Sequence, residues 1–68
     1  MRYVKQFYSN MYSFGFEMFY SRKTDKVWVK NTMGMKMDER DIAFVRTHKA
    51  KFVRLLTDLG LFTNDDHM

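Results

Sequence analysis

Sixty-eight residues, 46% hydrophobic and 29% charged, without cysteine or proline, fit one small domain and exclude a disulfide scaffold or a thiolate zinc site. A formal charge of +4 excludes an acidic nucleic-acid mimic and leans towards polyanionic partners. A chain this short buries only about 60% of the surface it exposes when unfolded, so close packing or a partner subunit must replace the missing staples.

Residues 1–9 are rich in Tyr, Val and Phe and read as a first strand, with Ser9-Asn10 as its turn. The opening Met1 to Lys5 leads into Gln6, Ser9 and Asn10 rather than a continuous apolar core, so no signal peptide is expected. No run of eighteen apolar residues occurs, so no membrane span is expected and a cytoplasmic location is the default.

Between Tyr12 and Tyr20 the apolar residues alternate. Tyr12, Phe14, Phe16, Met18 and Tyr20 fall on one face, opposite Ser13, Gly15, Glu17 and Phe19. This period of two predicts a half-buried strand. Val27-Trp28-Val29 forms the heart of the next strand, and Arg22 to Lys26 is the turn between them. An even-length loop sets Tyr20 opposite Val29 and Phe16 opposite Met33. On the other face it sets Ser21 opposite Trp28 and Phe19 opposite Lys30.

After Gly34 the period becomes helical. Asp38 is placed as N-cap, Glu39 and Asp41 add negative charge to the first turn, and Met37 with Ile42 are spaced as a hydrophobic staple. Gly60 stands where a left-handed C-cap belongs, with Leu56 and Leu61 spaced for a Schellman contact. One helix is therefore predicted over about 39–59, with Ile42, Val45, Phe52, Val53, Leu56 and Leu59 as its apolar stripe. Thr47 to Lys51 interrupts that stripe. Lys49 near its centre reads as a snorkelling lysine, a helix break near His48, or a contact to a partner. Residues 63–68 are polar and read as a frayed tail.

The expected fold is α+β, a single domain over 1–68. A three-stranded antiparallel sheet (1–33) is followed by one long C-terminal helix (38–60) packed on one sheet face. One helix covers one face, so the other is expected to stay open. On it lie Phe19, Lys26, Trp28 and Lys30, with Lys23 and Ser21 nearby. An aromatic ring between lysines suits a nucleic acid, because the ring stacks on a base and the ammonium groups neutralise phosphates. The same face suits a protein partner, since Trp anchors many interfaces, and a homodimer would also support the small core. A second basic surface is expected on the helix, from Arg46, Lys49, Lys51 and Arg54. Residues 1–37 carry seven cations and two acids, whereas residues 38–68 carry five cations and six acids. The positive field is therefore assigned to the sheet.

Catalysis finds little support. His48 is the only histidine expected in ordered structure, no nucleophile sits in a known motif, and the three glycines are scattered. No cofactor, metal or small-molecule substrate is expected. Met33, Met35 and Met37 add adaptable apolar surface ahead of the helix. The order of three strands and a helix, with Val27-Trp28-Val29 before the helix, resembles plant AP2-type and phage integrase arm-type DNA-binding domains. That topology implies a sheet laid in the major groove. In style, the compact, cysteine-free, Met- and aromatic-rich chain also resembles small viral accessory proteins directed at host factors. Two functions are thus expected of the Trp28 face: a non-catalytic basic module for nucleic acid, or a protein-binding regulatory or inhibitory module.

Overall fold

The computed structural model describes residues 2–63. In chain order the elements are α1 (Arg2–Ser13), β1 (Phe16–Ser21), β2 (Lys26–Asn31), α2 (Glu39–Thr47) and α3 (Lys49–Leu59). This corrects the expected three strands and one helix. The sheet has two antiparallel strands, and helices occupy both ends of the described chain.

The first correction is residues 1–9, which are helix and not strand. Val4, Phe7, Tyr8 and Met11 recur at i, i+3, i+4 and i+7, and all four pack in or against the core. That spacing puts them on one side of a helix, whereas a strand would scatter them over both faces. The helix ends at Ser13, and the turn after it closes at Gly15, whose φ is +88° and whose N–H donates to the Tyr12 carbonyl. A Cβ there would sit 3.0 Å from Thr32 Oγ1, so the turn needs glycine both for its dihedral and for the approach of the chain beyond β2. Tyr12 and Phe14, expected in the strand, are therefore exposed residues of the helix end and turn.

The second correction concerns the hairpin register. Phe16 pairs with Asn31, Met18 with Val29, Phe19 with Trp28, Tyr20 with Val27 and Ser21 with Lys26. The expected pairing is displaced by two residues, which leaves every side chain on its expected face. Arg22 to Asp25 forms a four-residue loop. Its last residue, Asp25, has φ +55°, a left-handed conformation that Asp tolerates better than most residues. Ser21, wholly buried, accepts the Thr24 N–H at its Oγ, 3.3 Å away, and closes the loop.

A third chain segment does join the sheet, but from the other end of the molecule. Tyr20 N–H donates to the Leu61 carbonyl and Thr63 N–H to the Tyr20 carbonyl, making a parallel bridge between Tyr20 and Phe62. β1 is thus flanked on both sides, and β2 is left as an edge. Of the residues expected to fray, Thr63 is bonded in this way, and 64–68 lie outside the described residues.

The single long helix is two. His48, with φ −108° and ψ 29°, leaves helical geometry between α2 and α3, although its N–H still donates to Phe44 and its carbonyl accepts from Phe52. The inward stripe runs through Phe44, Val45, His48, Phe52, Leu55 and Leu56, so Lys49 lies beside it and not at its centre. Ile42 is 37% exposed and Leu59 50% exposed, out of the core expected for them. Both outer helix ends keep the predicted residues. Asp38 is the extended residue before α2, although its side chain makes no capping bond. Gly60 is left-handed, with its N–H on Thr57 and the Leu61 N–H on Leu56, the paired bonds of a Schellman motif.

Val4, Met18, Val45, Phe52 and Leu56 form the core, which draws on every helix and on β1. Full burial of each such side chain contributes roughly 1.5–3 kcal/mol. Aromatic rings extend the core along α1 and α2. Phe7 stacks on Phe44 at 4.5 Å between ring centres, and Phe52 meets both edge-on at 5.6 and 5.9 Å. The topology behind the likeness to AP2-type and integrase arm-type domains is therefore absent, because the first strand is a helix and the sheet has two strands.

Candidate binding surfaces

The inner sheet face, with Met18, Tyr20, Val27 and Val29, lies against the helices. On the outer face Glu17 pairs with Lys30, Phe19 with Trp28, and Ser21 with Lys26 across the strands. Trp28 is 50% exposed and Phe19 half-buried, so the two rings offer an uneven aromatic platform. Lys30 is not free. Its ammonium lies 3.7 Å from Glu17 and 5.8 Å from the Phe19 ring centre, too exposed a pair to add much stability. Lys26 is exposed and has no ion-pair partner among the described residues. Lys23 lies in the exposed loop and is engaged in an interaction of its own.

The expected second basic surface, with four cations on one helix, is divided by the break at His48. Lys49 turns to the hairpin loop, where its ammonium meets Asp25 Oδ2 at 3.2 Å. Of the three readings of Lys49, the break is present and the contact is internal. Lys51 and Arg54 join Lys5 of α1 and Asp58 around a shallow groove of about 370 Å³ floored by Val4 and Leu55. Arg46 lies elsewhere, beside the β2 edge. The nine candidates therefore fall on separate surfaces, and no single site gathers them.

The positive field also needs correcting. Residues 16–31, which contain the whole sheet, hold Arg22, Lys23, Lys26 and Lys30 against Glu17 and Asp25, a net +2. Arg2, Lys5 and Lys36, counted with the sheet half, belong to α1 and to the segment before α2.

Sequence reasoning missed Lys5, Lys36 and Asp25. The 4-7-8-11 spacing marks α1 as a helix and would have put Lys5 beside α3. No local signal points to Lys36 or to the Asp25–Lys49 pair, which depend on how the hairpin meets the helices.

A largely apolar groove of about 560 Å³ runs between β2, the Met35–Met37 segment and α2. Its apolar lining includes Val27, Val29, Met37, Ile42 and Val45, and its charged members are Lys30, Lys36 and Arg46. No acid lines it, though Glu39 borders the neighbouring hollow beyond Ile42. A smaller hollow of about 420 Å³ lies between Tyr8, Tyr12, Leu59 and Leu61. Burial there, helped by Tyr12 and Glu17, raises the Tyr8 hydroxyl above the ordinary tyrosine range, so it stays protonated.

Among the described residues no three His, Cys, Asp or Glu side chains gather to hold a metal ion, and no helix is long and apolar enough to cross a membrane. Compared with protein-family models, curated proteins and solved structures, the chain matches none.

Proposed function

We propose that the protein is a non-catalytic binding module that holds single-stranded nucleic acid on the outer face of its hairpin. The observation that carries this reading is Trp28, half exposed, directly opposite Phe19 and between Lys26 and Lys30 on one strand face. A base stacked on the indole keeps its phosphate within reach of the unpaired Lys26. Lys30, held over Phe19 by Glu17, exchanges that weak pair for a phosphate. Stacking of this kind tolerates any base, so the reading predicts little sequence preference.

Trp28 is the only tryptophan, so its fluorescence reports on the site directly. Titration with oligo(dT) at low salt is expected to quench it. Two phosphate contacts to a single strand give a log–log salt slope of about −1.4. Trp28→Ala should weaken binding by about 1–3 kcal/mol, the contribution of one stacked base. Absence of binding at low salt, or binding indifferent to salt, would overturn the reading.

Glu17 favours a second reading. An acid on the same face as two lysines suits a protein surface of mixed charge better than a phosphate backbone, and a half-exposed Trp is a frequent anchor. A regulatory or inhibitory partner, or a second copy of this chain, would then cover the face. A stoichiometric complex or dimer that survives moderate salt and breaks on Trp28→Asp supports this alternative.

A further inference from the structure

The exposed edge of β2 carries an inference that does not rest on Trp28 or on nucleic-acid binding. In an antiparallel pair the N–H and C=O of one residue point to the same side, and the side alternates along the strand. Thr32 N–H donates to Gly15 across the hairpin, and the peptide groups of Tyr20 face the 61–63 segment on the far edge of β1. Both bonds give the same parity. Lys26, Trp28 and Lys30 turn their peptide groups towards β1, and Val27 and Val29 turn theirs outward. No strand pairs with that edge among the described residues.

The outward-turned residues are also the ones whose side chains line the 560 Å³ groove. Unpaired peptide groups and open apolar surface thus coincide at Val27 and Val29, the combination that strand addition requires. The occupant is selected by charge. Lys36 and Arg46 line the groove with no acid among its lining residues, Lys30 borders it with its ammonium weakly paired to Glu17 on the outer face, and the whole chain carries +4. A second copy would bring two such cation sets together, and edge lysines are a common guard against self-pairing. An acidic strand meets neither obstacle.

We propose that the β2 edge binds an extended, acidic segment of a partner protein by strand addition. Alternate apolar side chains of the segment cover Val27, Val29 and Ile42, and its backbone bonds Val27 and Val29. Its intervening carboxylates lie on the outer side of the strand beside Lys30, and Lys36 and Arg46 add the positive field of the groove itself.

The test uses the full chain and three synthetic decapeptides: alternating valine and glutamate, the same peptide N-methylated at alternate residues, and alternating valine and lysine. Hydrogen exchange by NMR reads the site residue by residue. The Val/Glu peptide is expected to slow exchange of the Val27 and Val29 amides about tenfold or more and to leave Trp28, already bonded to β1, unchanged. N-methylation on the edge-facing side should weaken binding by about tenfold or more, as should the double variant K36E/R46E. Equal binding of the N-methylated or the Val/Lys peptide would overturn the proposal, as would failure of the Val/Glu peptide to protect these amides. So would a peptide-free dimer that protects the same two amides, because a second copy would then be the occupant. Oligonucleotide titration reads the Trp28 face separately, so either reading can fail without the other.

Discussion

The Tyr20 hydroxyl donates to Asp25 Oδ1 at 2.7 Å, and the Lys49 ammonium donates to Oδ2 of the same carboxylate at 3.2 Å. One loop aspartate thus ties a strand residue of β1 to the first residue of α3. Lys49 stands at a helix N-terminus, where the dipole disfavours a cation, and Asp25 supplies the countercharge. The two bonds anchor the side chain of the one described non-glycine residue with a left-handed backbone.

The Tyr20 bond first, and Lys49 second, lower the Asp25 pKa below the usual carboxylate value. The stabilisation linked to this shift is present above the unfolded value, about 3.9, and is lost as pH falls through the folded one. Asp25→Asn, which still tolerates the left-handed backbone, should unfold at lower urea than wild type near neutral pH. The difference should vanish at low pH. Urea midpoints of both proteins across pH, with an NMR titration of the Asp25 carboxyl, check this.

An aspartate scan through residues 4–11 should show the period of a helix. Val4 is 1% exposed, so Val4→Asp buries an unpaired charge and should cost at least about 3–5 kcal/mol, comparable with the whole stability of a small domain. Asp at 7, 8 and 11 should be costly as well, and Asp at 5, 6, 9 and 10 mild. Urea midpoints that alternate with a period of two would refute α1.

Gly15→Ala and Gly60→Ala each place a side chain at positive φ, which costs about 1–2 kcal/mol. A Cβ at Gly60 meets nothing within 4 Å, whereas one at Gly15 meets Thr32 Oγ1 at 3.0 Å. Gly15→Ala should therefore be the more damaging. Adding Thr32→Ala should cost less in the Gly15→Ala background than in wild type, as a double-mutant cycle will show.

Stability and binding should separate at two aromatic residues. Phe52 is fully buried, and Phe52→Ala should cost about 3–5 kcal/mol. Trp28→Ala loses mainly a cross-strand pair with Phe19, about 0.2–1 kcal/mol, while abolishing the stacking platform. Thermal melts and oligonucleotide titrations of the two variants measure the contrast.

Much of the local structure is legible in the residues themselves. The alternation from Phe16 to Tyr20 and the Val27-Trp28-Val29 run assign both hairpin faces, because a period of two survives a register shift of two. Asp38 and Gly60 mark helix ends through backbone requirements that need no tertiary partner. Residues 1–9 mislead because Tyr, Val and Phe favour strands as isolated residues, while their 4-7-8-11 spacing is helical. Spacing outweighs propensity here, since α1 is held by burial of Val4, Phe7, Tyr8 and Met11. The candidate cations were legible as residues but not as sites.

The short, proline-free chain with +4 charge by itself determines a small packed domain, the two hairpin faces, and the ends of the C-terminal helical region. The tertiary structure decides the rest. It splits that region at His48, directs Lys49 to Asp25, gives β1 the 61–63 segment as its second neighbour, and leaves the peptide groups of Val27 and Val29 at an unpaired edge. Each of these depends on contacts between residues far apart in the chain. Local propensity and period act over a few residues and do not record which surfaces will meet.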